Sequence, residues 1–548
     1  MAGHGSRPLR GLESTGQSSA GTAKFGRLFR WLEPAAAPLN PMQEQELRDT
    51  LAELAGLMVT SEFQNNVKDG KSPDAPITER EPDDESPDIP AGYTYLGQFI
   101  DHDVTFDPAS SLQRMNDPDA LEDFRTPRLD LDCLYGRGPS DQPYLYEKPS
   151  RGKFILGPDV GVQGMHRPDL QRTGDRTALI GDKRNDENKI VAQIQALFLR
   201  FHNKVYDKLA PGFKPGEGDA HFNETQRIVR WCYQWIVLND FLPRVCDPRI
   251  VESLMPLPGE RTPRLQFYQP HGGTAYIPVE FSVAAYRFGH SMVRPSYSLN
   301  DNVLSGTSHF NGTPFARIPI FPFPSRNPQT GQPLPRQATD SMAGFGEALP
   351  AAWGIDWHFF FGTPNTHAPG SQQIPQPSYR IDASLVDPLL DLPEFATEPT
   401  PFRSLAFRNL QRGVSMGLPS GQGVARMMGV EHDRILNDEQ LWTVCSKGEE
   451  IQPWAEGADF FAKDRSQRWL SGAAPLWYYI LKEAEVMNHG RHLGDVGSRI
   501  VAETLIGLAW HDHYSYLFQM PRWDPSQELL GLPARPDMLA LTQWIDAP

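Results

Sequence analysis

The sequence predicts a mainly α protein: one large helical domain with long proline-rich loops and little β structure. Three observations carry that reading. Apolar residues recur at three- and four-residue spacings over several long segments, the period of an amphipathic helix. Convincingly alternating segments are scarce. The 51 prolines and 46 glycines call for long irregular connections between helices. At 548 residues the chain can bury a large core, and neither an internal repeat nor a clean linker divides it.

Residues 1–24 are rich in Gly, Ser and Thr and read as a flexible tail. The domain is expected over 25–548. Residues 24–32 suggest a short basic amphipathic turn, and 42–58 a helix with Leu47, Leu51, Leu54 and Leu57 on one stripe. The acidic, proline-rich run 78–90 reads as a loop. Helix follows over 188–209, with Ile190, Ile194, Leu197, Phe201 and Val205 in line, and over 224–245 through Ile228, Trp231, Trp235 and Leu242. Residues 278–293 have Pro278 at the start and Pro295 just beyond the end, as helix boundaries prefer. Residues 313–338 and 363–380 are proline-rich loops, either lining an entrance or decorating the surface. Another apolar-periodic helix is expected over 499–510.

A formal net charge of −16 without any basic stripe argues against nucleic acid as a partner. Four widely spaced cysteines are not a disulfide scaffold, and Cys232 and Cys246 read as buried thiols. No apolar stretch approaches the ~20 residues that span a bilayer. The polar N-terminus carries no apolar core of signal-peptide type, so a soluble cytoplasmic protein is expected, with export by another route left open. The oligomeric state is not legible.

The most informative stretch is Gly97-Gln98-Phe99-Ile100-Asp101-His102-Asp103. Successive helical residues turn by roughly 100°, so Asp101, His102 and Asp103 face three directions. One group can face a reaction, one can reach beside it, and the third can tie the helix down. Taken alone the triplet also suits a metal ligand pair or a solvated helix end. It does not stand alone. Gly181-Asp182-Lys183-Arg184-Asn185-Asp186-Glu187 follows, then Tyr286-Arg287-Phe288-Gly289-His290, then Arg408-Asn409-Leu410-Gln411-Arg412. In this order the motifs resemble the animal-type haem peroxidase family, within the peroxidase–cyclooxygenase superfamily, in its bacterial branch. The motif-bearing core runs over about 95–429.

The resemblance implies haem b held by His290, with Asn409 accepting the second imidazole N–H and Arg287 and Arg412 binding the propionates. On the opposite side it implies His102 as the group that takes a proton from hydrogen peroxide and returns it. Arg184 would stabilise the developing negative charge, and Gln98 would hold water or a small anion. Asp101 and Glu187 match carboxylates that form ester links to the haem. Asn188 stands where the chlorinating relative has a bonded methionine, which weakens the case for chloride oxidation. Residues 126–132 resemble a calcium loop, with Asp103, Thr126, Arg128 (by its carbonyl), Asp130 and Asp132 as ligands; an acidic, solvated loop is the plainer alternative. After Arg412 the chain departs from the animal pattern, keeping only Gly417-Leu418-Pro419 of the following turn.

The expected function is a haem peroxidase that reduces hydrogen peroxide and oxidises a small organic, halide or pseudohalide donor. A fatty-acid dioxygenase of the same superfamily is the alternative. Its radical tyrosine lies three residues before the haem-ligating histidine, where this chain has Arg287, and Tyr286 is one residue too early. A haem-free adhesion or binding module is the reading from another class.

Overall fold

The computed structural model describes residues 25–58, 85–105, 126–148, 152–162, 164–270, 273–304, 309–310, 313–314, 317–321, 341–362, 374–441, 443–446, 450–453, 468–529 and 531–548. The expected tail lies outside them, as do 78–84 and most of the two proline-rich loops. The principal helices are α1 (Pro41–Met58), α2 (Gly92–Val104), α3 (Lys189–Leu209), α4 (Gly218–Ile236), α5 (Leu405–Ser415), α6 (Gly421–Met428), α7 (Leu476–Asn488), α8 (Asp495–Trp510) and α9 (Met538–Asp546). Strands among the described residues form only two-stranded sheets. The chain is mainly α, and its buried apolar side chains form one continuous core.

Helix α3 runs through the middle of this core. The Asn188 side chain caps it by accepting from the Ile190 and Val191 amides, which satisfies two of the orphan donors at a helix start. All five residues of its predicted stripe are buried, and so is nearly every other side chain as far as Asn203. It packs on α2 and α4, while α7 lies against α5, α6 and α8. Helix α1 packs on α5. Its buried face is Leu47, Leu51, Leu54 and Met58; Leu57 is only half-buried, because a 3.6-residue period selects position 58.

Three expectations need correcting. Helix 224–245 is not continuous: α4 ends at Ile236, a π-helical turn spans Val237–Phe241, and a short α turn Leu242–Val245 follows. Pro243 explains the break, since it lacks an N–H and clashes with the carbonyl four residues earlier. The segment 278–293 is not an α-helix either. It is a π turn, Glu280–Ala284, followed by a 3₁₀ turn, Ala285–His290. Tertiary bonds override the α pattern there: the Trp477 indole donates to the Arg287 carbonyl at 3.2 Å, and the Arg287 Nε donates to the Ser282 carbonyl at 3.0 Å.

The third correction concerns 78–90, where Glu85–Pro90 is a strand, antiparallel to Pro377–Tyr379. This pair launches α2. The Ala91 amide donates to the Gln376 carbonyl at 2.8 Å and the Gly92 amide to the Phe360 carbonyl at 2.9 Å. A side chain at position 92 would place its Cβ 2.4 Å from that carbonyl, so glycine permits the approach.

Candidate active site

The C-terminal half of α2 presents its polar residues in the directions its geometry requires. Gln98 donates through Nε2 to Glu187 Oε1, and its own oxygen accepts from Asn188 Nδ2 at 2.9 Å. Asp101 is half-buried and accepts from the Thr105 hydroxyl at 3.0 Å. His102 is buried; its Nδ1 lies 2.7 Å from Asn185 Oδ1 and its Nε2 lies 3.8 Å from Glu187 Oε1. Burial lowers the His102 imidazole to about 4, with the Arg184 cation adding to the effect. It is therefore a neutral ring at physiological pH. Asp103 turns the other way, into the loop 126–132.

The second wall is the 3₁₀ helix Lys183–Asp186, capped by Asp182, whose carboxylate accepts from the Arg184 amide at 2.9 Å. The Arg184 guanidinium pairs with Asp182 at 2.8 Å and donates to the carbonyls of His102 at 3.0 Å and Thr105 at 2.6 Å. It thus ties down the last turn of α2, whose carbonyls lack helical partners. Burial pushes the Glu187 carboxyl up to about 8, against the pull of Arg184, although 30% of its side chain still faces open space between the walls.

Sequence reasoning missed the segment that holds Glu187 in place. Residues 341–346 run alongside it: the Lys189 amide donates to Met342 at 2.8 Å, Gly344 to Glu187 at 3.0 Å and Phe345 to Asp186 at 2.7 Å. The Lys189 ammonium is buried and donates to the Ser341 and Ala343 carbonyls at 2.6 and 3.0 Å. A Cβ at Gly344 would sit 1.8 Å from the Asp186 carbonyl. Nothing local in that glycine-rich stretch marks it as part of a site.

On the facing side, the 3₁₀ turn carries Arg287 and His290. The His290 Nδ1 lies 2.8 Å from the Asn409 amide nitrogen, and the Asn409 oxygen accepts from Arg287 at 3.4 Å. As oriented, this amide donates to Nδ1. The expected acceptor role requires it turned over, which exchanges its oxygen and nitrogen in place. Burial, then Arg287, lowers His290 to about 3, so it too is neutral. Its Nε2 has no hydrogen-bond partner among the described residues, and a Cβ at Gly289 would meet nothing within 4 Å. Arg412 lies on α5, one helical turn beyond Asn409 and half-buried. The Asp101 carboxylate acts electrostatically on both Arg287 and Glu187, raising each. Tyr286 is buried among Phe241, Phe281 and Phe288, and its hydroxyl has no hydrogen-bond partner.

In the loop, the Thr126 hydroxyl donates to Asp130 at 3.1 Å and the Leu131 amide to Asp103 at 3.1 Å. The Thr126 amide lies 3.4 Å from Asp132, and Leu131 adopts a left-handed φ of 57°. Asp103 Oδ1 and Asp130 Oδ2 are buried without hydrogen bonds. Burial, with Asp130 and Asp132 nearby, pushes Asp103 up to about 8. The Arg128 guanidinium reaches Asp512 at 3.7 Å. Among the described residues, no three His, Cys, Asp or Glu side chains stand close enough to hold an ion as they are placed. Calcium ligation would draw the three carboxylates together.

A sequence profile of the animal haem peroxidase family matches residues 117–320, which include Arg184, Glu187, Arg287 and His290 but neither the 98–103 segment nor Asn409. The chain is 28% identical over 253 residues to a peroxidase-like protein of Margaritifera margaritifera, covering 37% of this chain and 31% of that one. It is 29% identical over 158 residues to thyroid peroxidase of Homo sapiens, covering 28% of this chain and 15% of that one. The matches thus span under a third of these relatives' lengths. Peroxidase A of Dictyostelium discoideum shares the fold at a TM-score of 0.51 and 16% identity, covering 90% of this chain and 88% of that one. A fatty acid alpha-dioxygenase of Arabidopsis thaliana gives 0.51 at 13% identity, covering 85% and 70%.

Proposed function

We propose that this chain, a member of the animal haem peroxidase family, reduces hydrogen peroxide and oxidises a small organic, halide or pseudohalide donor. One observation carries the reading. Two neutral imidazoles from different elements, buried His102 and half-buried His290, each have Nδ1 against an asparagine amide, and the Asp101 carboxylate acts electrostatically on both Arg287 and Glu187 beside them. The open space beside Gly289 and the unpartnered Nε2 of His290 fit an iron macrocycle.

When bound, haem supplies the iron at which peroxide is reduced and the donor oxidised. His290 would be its ligand through Nε2. With the Asn409 amide oxygen turned to Nδ1–H, the imidazole would gain basicity as second-sphere acceptors provide. Arg287 and Arg412 would meet the propionates, and Asp101 and Glu187 would border the macrocycle. On the other side, His102 Nε2 takes the proton of the inner peroxide oxygen and returns it to the departing one. Arg184 contributes positive charge beside that transfer, while Gln98 keeps Glu187 and Asn188 in register around it. Asp103, Thr126, the Arg128 carbonyl, Asp130 and Asp132 would hold calcium, which the buried, unpartnered oxygens of Asp103 and Asp130 support. The dioxygenase reading is less well supported, because Tyr286 is shut in by phenyl rings.

The test is direct. Purified protein is expected to show a Soret band that His290→Ala removes or shifts. His102→Ala should keep the band and slow the reaction with peroxide by ~10²-fold or more. A chain that binds no haem, or a His102→Ala variant reacting at the full rate, defeats the assignment.

A further inference from the structure

We propose that Asn185, backed by Gln195, sets the tautomer of His102, keeping the proton on Nδ1 and the lone pair on Nε2 where peroxide would be met. This makes Asn185 a positioning residue, and the inference rests on the reading of His102 as the proton shuttle. Three elements build the arrangement: His102 on α2, Asn185 on the 3₁₀ helix Lys183–Asp186, and Gln195 on α3. The Asn185 oxygen lies 2.7 Å from His102 Nδ1, and the Asn185 amide nitrogen donates to Gln195 Oε1 at 2.8 Å. Asn185 and Gln195 are completely buried, and His102 is 4% exposed.

The chemistry follows from what each atom can do. An amide oxygen only accepts, so an imidazole nitrogen facing it must carry hydrogen. A neutral imidazole has one N–H, which leaves Nε2 bare. Gln195 matters because an asparagine presents either end. As oriented, the Gln195 oxygen occupies the Asn185 NH₂ group and leaves the Asn185 oxygen for the ring, while Gln195 Nε2 is buried without a hydrogen-bond partner. An amide is also uncharged and does not titrate. It orients the ring without adding a negative charge that would favour the imidazolium. The charged groups around His102 are Asp101 on its own helix and Asp182, Arg184 and Glu187 on the facing segment. None of them contacts Nδ1 in the structure, so the tautomer falls to Asn185.

The experiment reads the tautomer itself. Protein with ¹⁵N-labelled histidine is prepared as holoenzyme in the diamagnetic ferrous carbonmonoxy form, and long-range ¹H–¹⁵N correlations distinguish Nδ1–H from Nε2–H. His102→Gln assigns the signal. Wild type is expected to show Nδ1–H. Asn185→Leu should lose that preference and react with peroxide at least about tenfold more slowly, part of the ~10²–10⁴-fold that acid–base catalysis contributes. Asn185→Asp, which can still accept, should retain Nδ1–H and move the acid limb of the rate upward in pH. Gln195→Met should weaken the preference without touching the ring. Wild-type protein with the proton on Nε2 overturns the proposal without recourse to any variant, and so does Asn185→Leu with unchanged tautomer and rate. If Nδ1–H is found in a protein that never reacts with peroxide, the tautomer assignment stands and the peroxidase reading falls.

Discussion

Asp101 and Glu187 come from different elements, and the Asp101 carboxylate acts electrostatically on Glu187. Asp101 is held by the Thr105 hydroxyl at the end of α2. Glu187 is pushed up to about 8 by burial, so at neutral pH it is largely protonated. Neither pairs directly with Lys or Arg among the described residues, and both are only half-buried, which fits groups that border a ligand. The expected outcome is that peroxide-treated holoenzyme retains haem through acid–organic extraction, with the added mass mapping to peptides that contain Asp101 and Glu187. Asp101→Asn and Glu187→Gln should each remove one attachment. Haem that extracts completely from treated wild type would show that neither bond forms. The same residues illustrate what a motif carries. Gln98, Asp101, His102 and Glu187 were legible because they lie within short stretches of defined spacing. Asn185 lies inside the Gly181–Glu187 stretch with no role its spacing reveals, and Gln195 lies ten residues further on in a helix, where a buried glutamine leaves no pattern.

At the scale of elements, helices with clean apolar periods and good caps emerged as read. Asn188 caps α3 by accepting backbone amides and is a cap residue type visible in a sequence, whereas α5, capped by Ser404, was not anticipated. The irregular turns were not legible, because distant partners impose them: Trp477 on the Arg287 carbonyl, and the strand Pro377–Tyr379 on Glu85–Pro90. The loop 126–132 falls between these cases. Its spacing of oxygen-bearing side chains was visible, but its bent path through Leu131 was not. Since Asp103 adjoins His102, whatever gathers the loop carboxylates also steadies the end of α2. Leaving Asp103 Oδ1 and Asp130 Oδ2 buried and unsatisfied costs about 1–3 kcal/mol each. A bound cation removes that cost. Protein dialysed exhaustively is therefore expected to retain calcium by metal analysis, and chelation should lower Tm. Asp103→Asn should lose the ion and slow the peroxide reaction. Calcium-free protein with undiminished Tm and activity would reduce the loop to an acidic turn.

For the whole molecule, buried titratable groups remote from the candidate site add to the pH dependence of stability. His202 is fully enclosed, its Nδ1 paired with the Tyr135 hydroxyl at 2.9 Å and its Nε2 with the Gly152 carbonyl at 2.7 Å. Burial lowers it from 6.5 to about 4. The unfolded chain therefore binds this proton more readily, and folding loses free energy as pH falls from 6.5 to about 4. The loss is on the order of 3 kcal/mol by the end. Glu483 works in the opposite sense. It accepts the Val496 and Gly497 amides, and burial, then Asp495, pushes it from 4.5 up to about 8. Its protonated form is favoured in the folded chain, so its contribution is full below 4.5 and is lost as pH rises through about 8. The two trends oppose each other between 4.5 and 6.5; His102 and His290 reinforce the acid limb and Glu187 and Asp103 the alkaline one. Urea unfolding across pH is thus expected to show a broad maximum near mildly acidic pH, with falling limbs below about 4.5 and above about 6.5. His202→Gln should flatten the acid limb by about one proton, and Glu483→Gln the alkaline limb. Identical pH slopes in wild type and His202→Gln would mean that the imidazole is protonated in the folded state, where it would face the Gly152 carbonyl and the Tyr135 hydroxyl as a cation.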